Sequence, residues 1–77
     1  MNKKEKILIF KSIRQVIKAE KFCLSSNLNH RIIPVPRHIS SECGMCIIVD
    51  EEEMQTLTVY LNNNQIEYRV EEKGHGE

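Results

Sequence analysis

The chain has 77 residues, enough for one small domain, which we expect over residues 1–70 with a flexible polar tail over residues 71–77. Hydrophobic residues make up 40% of the sequence, and eleven basic residues balance eleven acidic residues to a formal net charge of zero. A chain without net charge lacks the basic field that attracts nucleic acids or an anionic membrane surface, so we expect neither as a partner.

The first half of the sequence predicts a strand, a helix and an edge strand. Lys6–Phe10 is a short apolar run of strand length. Ser12 is a predicted helix N-cap, with Gln15 as its capping-box partner. The helix that follows carries an apolar stripe of Ile13, Val16, Ile17, Cys23 and Leu24. A second strand is predicted over residues 30–36, and its two prolines, which lack an amide proton, place it at a sheet edge.

The second half predicts a strand, a helix and a final strand. Met45–Val49 is a buried apolar run, and Asp50 is the predicted cap of a helix with Glu51–Glu53 in its first turn. Alternation over Ile66–Val70 predicts a half-buried last strand. The order βαββαβ is typical of an α+β ferredoxin-like sandwich, in which two helices pack on one face of a four-stranded antiparallel sheet. In that fold the second strand lies at an edge.

The apolar runs and the cysteines indicate the compartment. No apolar run is long enough to span a membrane, and the one after the basic N-terminus is too short for the core of a signal peptide. We therefore expect a cytoplasmic protein. Its three cysteines are an odd number and are expected to be reduced thiols rather than a disulfide framework. The small core leaves scope for stabilisation by a homodimer or a docked partner.

The loop between the second and third strands holds the candidate site. Cys43 lies at its end beside Gly44, whose backbone can approach the sulfur closely. Arg37 supplies a fixed positive charge, and Ser40 and Ser41 supply hydroxyl donors. Such groups stabilise a thiolate, or a persulfide or selenide anion attached to it. The competing interpretation is that Arg37 is solvated and that the serines only shape a turn.

Two further interpretations use Cys43 and Cys46 together as a CxxC pair. A dithiol redox pair normally lies at a helix N-terminus, whereas Cys46 already belongs to an apolar run. Cys46 is therefore either a small core residue or a resolving thiol. Zinc needs about four ligands, and the sequence has no second CxxC or HxxxH to complete a set. We expect no metal and no cofactor.

Glu20 falls near the middle of the predicted apolar stripe of the first helix. A carboxylate there is buried at high cost unless it is paired or its head reaches water. Two interpretations follow. Glu20 is a boundary residue, or it binds a cation or loop amides and helps to hold the Cys43 loop.

Several segments resemble the small bacterial proteins of the selenium/sulfur carrier-like family, and the resemblance covers Lys6–Val70. The matching segments are Ala19–Lys21, Pro34–Arg37, Ile39–Ser41 and Cys43–Gly44. The resemblance implies that Cys43 is the carrier cysteine. The family often has a small residue other than cysteine at the position of Cys46.

The resemblance implies a covalent carrier rather than an enzyme that turns over a small substrate. Cys43 would accept sulfur as a persulfide from a cysteine desulfurase, or selenium from another chalcogen donor, and pass it to an acceptor protein. A second hypothesis is a non-catalytic ferredoxin-like binding or regulatory module, in which Cys43 is only a small surface residue. The third is a CxxC thiol-redox or metal module.

Overall fold

A computed structural model describes residues 4–72. Within them, the elements are β1 (Glu5–Phe10), α1 (Ile13–Ser25), β2 (His30–Pro34), β3 (Met45–Asp50), a 3₁₀ turn (Glu51–Glu53), α2 (Met54–Asn63) and β4 (Tyr68–Glu72). The strands form one antiparallel sheet in the order β2-β3-β1-β4. The predicted ferredoxin-like α+β fold is confirmed, and β2, which ends at Pro34 rather than at residue 36, lies at a sheet edge as predicted.

The main core lies between the sheet and both helices, and we call it the helix-side core. Its ten buried residues are Leu8, Phe10, Val16, Ala19, Cys23, Ile47, Val49, Leu57, Leu61 and Ile66. Because side chains alternate along a strand, the neighbouring residues of β1 and β3 point to the other face. There Ile7, Ile9, Cys46 and Ile48 form a second buried group, the outer cluster, with Ile33, Val35 and Ile39 packed against it.

Helix α1 is rotated relative to its predicted orientation. The buried residues are Val16, Ala19 and Cys23, whereas Ile13, Ile17 and Leu24 are 49%, 45% and 64% exposed. The predicted stripe is therefore wrong for those three residues. At 100° per residue, the buried face is turned roughly 70° from the predicted stripe, and Cys23 lies nearest its centre.

The predicted start of α1 is confirmed only in part. Ser12 is the N-cap, and its hydroxyl oxygen accepts the backbone N–H of Gln15 at 3.4 Å. The side-chain oxygen of Gln15 is buried and has no hydrogen-bond partner within the described structure, so the reciprocal capping-box bond is not made.

The second helix begins differently from the prediction. Asp50 is the last residue of β3 and is buried, and its side chain makes no capping bond to the turn that follows. Its carboxylate instead accepts a hydrogen bond from the Asn29 side-chain amide at 3.4 Å. Asp50 therefore ties the end of β3 to the segment before β2.

The last strand is shifted by two residues. Gln65 adopts a positive φ of 58° after α2, and the Ile66 N–H then bonds to the Leu61 carbonyl at 2.9 Å. Ile66 is consequently buried in a helix cap rather than in a strand. β4 continues to Glu72, so the first two residues of the predicted tail belong to the sheet, and residues 73–77 lie outside the described residues. Over residues 4–72, neither helix has the length and hydropathy to cross a bilayer.

Candidate functional site

The loop between β2 and β3 is closed at its base and held at its middle. The Val35 N–H bonds to the Gly44 carbonyl at 3.0 Å, which continues the β2–β3 pairing by one more bond. Within the loop, the Ile39 N–H bonds to the Pro36 carbonyl at 3.0 Å, and the Ile39 side chain packs on the outer cluster. Two backbone hydrogen bonds and the packing of Ile39 therefore hold the loop against the sheet.

The Ser41 hydroxyl organises the end of the loop. Its oxygen accepts two backbone N–H groups, from Cys43 at 3.3 Å and from Gly44 at 3.2 Å. Gly44 has a φ of +80°, a conformation that residues with a Cβ rarely adopt. This turn lets consecutive amides converge on one oxygen atom, and it places Cys43 beside Ser41.

The half-buried Cys43 sulfur lies between a donor and an acceptor. Its thiol donates to the Met45 carbonyl oxygen at 2.9 Å, and its Sγ lies 3.8 Å from the Ser41 Oγ. Because the Ser41 oxygen already accepts two N–H groups, its own proton is the one directed at the sulfur. A thiolate would keep the Ser41 donor, but it would be repelled by the Met45 carbonyl. Ionisation therefore favours turning the sulfur away from that carbonyl.

The structure does not bring Arg37 or the Ser40 hydroxyl to the sulfur. Arg37 is exposed, and no hydrogen bond or ion pair joins its guanidinium to Cys43 or to either serine. Ser40 takes part through its backbone carbonyl, which accepts a hydrogen bond from Arg69 Nη2. Among the predicted binding residues, only Ser41 and Gly44 shape the immediate surroundings of the sulfur.

Arg69 is the residue that the sequence did not reveal. It lies on β4, 29 positions from Ser40, and reaches the loop past the end of β1. A cavity of about 510 Å³ lies at this junction. Its lining includes Phe10, Lys11, Ser41, Glu42, Tyr68 and Arg69. Only the strand order places Arg69 beside the loop, and no local spacing in the sequence could have indicated it.

A model of the family described as "Putative Se/S carrier protein-like" matches residues 5–70, which is most of the chain. The chain belongs to this family. Searches among curated proteins and among solved structures gave no match. The match to the Se/S carrier-like family covers all the elements that position Cys43, and a carrier-like role implies donor or acceptor proteins in general.

In this Se/S carrier-like chain, Cys43 and Cys46 lie on opposite sides of the sheet. Cys43 packs against the helix-side core, whereas Cys46 is fully buried in the outer cluster. Burial raises the pKa of the Cys46 thiol, and the charge of an ionised Cys43 raises that pKa further. All three cysteines are free thiols. The geometry therefore provides one accessible sulfur rather than a facing pair.

Glu20 lies at the edge of the buried face of α1 and is half-buried. No hydrogen bond or ion pair joins it to the loop, and it is close enough to Cys23 for its charge to act on that thiol. Burial, with smaller contributions from Glu20 and Glu53, raises the pKa of Cys23 to about 11.

Within residues 4–72, no three His, Cys, Asp or Glu side chains group closely enough to hold a metal ion.

Alkylation should separate the three thiols. At about pH 8, iodoacetamide is expected to modify Cys43 in the folded protein and to leave Cys23 and Cys46 unmodified, because only exposed thiolates react. Peptide mapping after a short pulse measures this selectivity, and the same pulse in urea should label all three. Equal labelling of Cys46 and Cys43 in the folded state would contradict the assigned faces.

Proposed function

We propose that the protein is a sulfur or selenium carrier that holds the chalcogen covalently on Cys43 and hands it to an acceptor protein. The observation that carries this proposal is that Cys43, alone among the three cysteines, combines partial exposure with a hydroxyl 3.8 Å from its sulfur, while both other thiols are fully buried. Membership of a family described as Se/S carrier-like supports the same function.

The loading step is a sulfur transfer from a donor persulfide, such as that of a cysteine desulfurase. Cys43 loses its proton to solvent, and its thiolate attacks the outer sulfur of the donor. A new S–S bond forms at Cys43, the donor S–S bond breaks, and the donor cysteine leaves as a thiolate. The acceptor repeats the exchange on the outer sulfur of Cys43. The atom moves without net oxidation or reduction, and selenium can follow the same course.

The loop supplies what this exchange needs. Ser41 stays fixed by two N–H groups and keeps one proton for the sulfur, whether the sulfur is a thiolate or the inner atom of a persulfide. Repulsion from the Met45 carbonyl favours turning the anion away from that oxygen. Arg37 is exposed in the same loop, where its positive charge is available to a docked partner. Cytoplasmic conditions would keep Cys43 reduced between transfers.

Intact mass measurement tests the proposal directly. The reduced protein, incubated with a cysteine desulfurase and cysteine, is expected to gain one sulfur atom that cyanide and dithiothreitol both remove. Protein whose Cys43 has been alkylated beforehand under folded conditions serves as the control and should gain none. If the folded, reduced protein retains no sulfur, the carrier proposal fails. The cavity beside the loop would then favour a binding or regulatory module.

A further inference from the structure

The two edges of the sheet differ in their capacity to accept another strand. At one edge, β2 ends at Pro34 and is followed closely by Pro36, and neither residue has an amide proton to donate. At the other edge, β4 has no proline over Tyr68–Glu72, and within the described sheet only β1 pairs with it. β4 is therefore the edge at which a further strand can be added.

The side chains of β4 are complementary to themselves. In an antiparallel pair of β4 strands centred on Val70, Arg69 lies opposite Glu71 of the partner subunit. Moving the centre to Arg69 would place two arginines directly opposite each other, and moving it to Glu71 would oppose two glutamates. Opposite charges across a pair of strands stabilise the pair and like charges destabilise it, so the sequence favours one register.

The positions of these side chains in the structure fit that register. Val70 pairs with Leu8 and so shares the helix-side face, yet it is 40% exposed whereas Leu8 is fully buried. Arg69 and Glu71 share the other face, with 3.6 Å between Nη1 and Oε2. The edge thus presents an uncovered apolar side chain on one face and a pair of opposite charges on the other.

We propose that the protein forms a homodimer in which two β4 strands pair antiparallel about a two-fold axis at Val70, joining the two sheets into one. Val70 would then be covered by its counterpart, and two Arg69–Glu71 pairs would flank the axis on the opposite face. The guanidinium has five N–H donors, so Arg69 can serve this contact and the Ser40 carbonyl together. The proposal does not rest on the chemistry of Cys43.

Light scattering coupled to size exclusion tests the dimer on the full chain. Wild type should give twice the 9.0 kDa chain mass, falling toward 9.0 kDa on dilution. Val70→Lys would place two ammonium groups at the axis and should give the monomer mass with an unchanged circular dichroism spectrum. Val59→Lys, at a similarly exposed valine on α2, is the matched control and should remain a dimer. A wild-type monomer up to millimolar concentration, or a dimeric folded Val70→Lys variant, would overturn the proposal.

A charge exchange tests the register. Glu71→Arg should weaken dimerisation at least tenfold. On each side of the two-fold axis it places the new arginine directly opposite Arg69 of the partner subunit, so that like charges face each other. Adding Arg69→Glu to it inverts both pairs and should restore the dimer. The double variant also loses the Arg69 contact with Ser40, but that contact concerns the loop and does not affect the mass readout. A double variant no more dimeric than Glu71→Arg would show that the strands do not pair about Val70.

Discussion

Replacing Cys43 by serine is expected to abolish sulfur loading by a cysteine desulfurase, whereas replacing Cys46 by alanine should leave loading at the wild-type level. A serine hydroxyl is not ionised near neutral pH and cannot form a persulfide, and the buried thiols cannot take over. Cys46 lies in the outer cluster, on the opposite side of the sheet from the Cys43 side chain, which packs against the helix-side core. Intact mass after loading, with cyanide release as the second readout, measures both variants.

The choice of alanine at position 46 keeps this comparison interpretable. A serine there would bury a hydroxyl among Ile7, Ile9 and Ile48 and could cost about 1–3 kcal/mol if the hydroxyl stayed unpaired. Alanine leaves only a small cavity, so the variant should fold, and circular dichroism checks that it does. Loss of loading in folded Cys46→Ala would revive the dithiol interpretation, in which Cys46 acts as the resolving thiol.

The features that could be predicted from the sequence are local or follow from strand chemistry. The order of elements, the edge position of β2 and the N-cap at Ser12 each depend on a few adjacent residues. The contact between Ser41 and Cys43 is also local, because the two residues are only two positions apart in the chain. Strand period fixes the face of Cys46 within β3, whereas Cys43 precedes β3 and its face depends on the turn at Gly44.

The features that could not be predicted depend on how the elements pack. Hydrophobicity alone placed the large Ile13 and Ile17 on the buried face of α1, whereas the sheet packs against the small Ala19 and leaves them exposed. That rotation also moves Glu20 from the centre of the stripe to its border. Arg69 meets Ser40 only because β4 lies next to β1, and neither residue carries a local signal of the other.

Phe10 links the core to the site, and Phe10→Ala is expected to lower the free energy of unfolding by about 3–5 kcal/mol. The Phe10 side chain is 2% exposed, belongs to the helix-side core against which Cys43 packs, and lines the cavity beside the loop. At about 0.05–0.15 kcal/mol per residue, a domain of this size is stable by roughly 4–12 kcal/mol. The substitution would therefore remove a large share of the total, as measured by urea unfolding.

Two companion variants show whether stability and the site are coupled through Phe10. Val59→Ala truncates an exposed apolar residue on α2 and should change the free energy of unfolding by no more than about 0.5 kcal/mol. Phe10→Leu keeps most of the packing, so it should remain folded, but it alters the cavity wall beneath Ser41 and Arg69. Faster alkylation of Cys43 in folded Phe10→Leu than in wild type would show that core packing holds the loop. An unchanged rate would mean that the hydrogen bonds of Ser41 and Arg69 are sufficient to hold it.

A loss below about 1 kcal/mol in the free energy of unfolding of Phe10→Ala would contradict the packing on which the coupling depends.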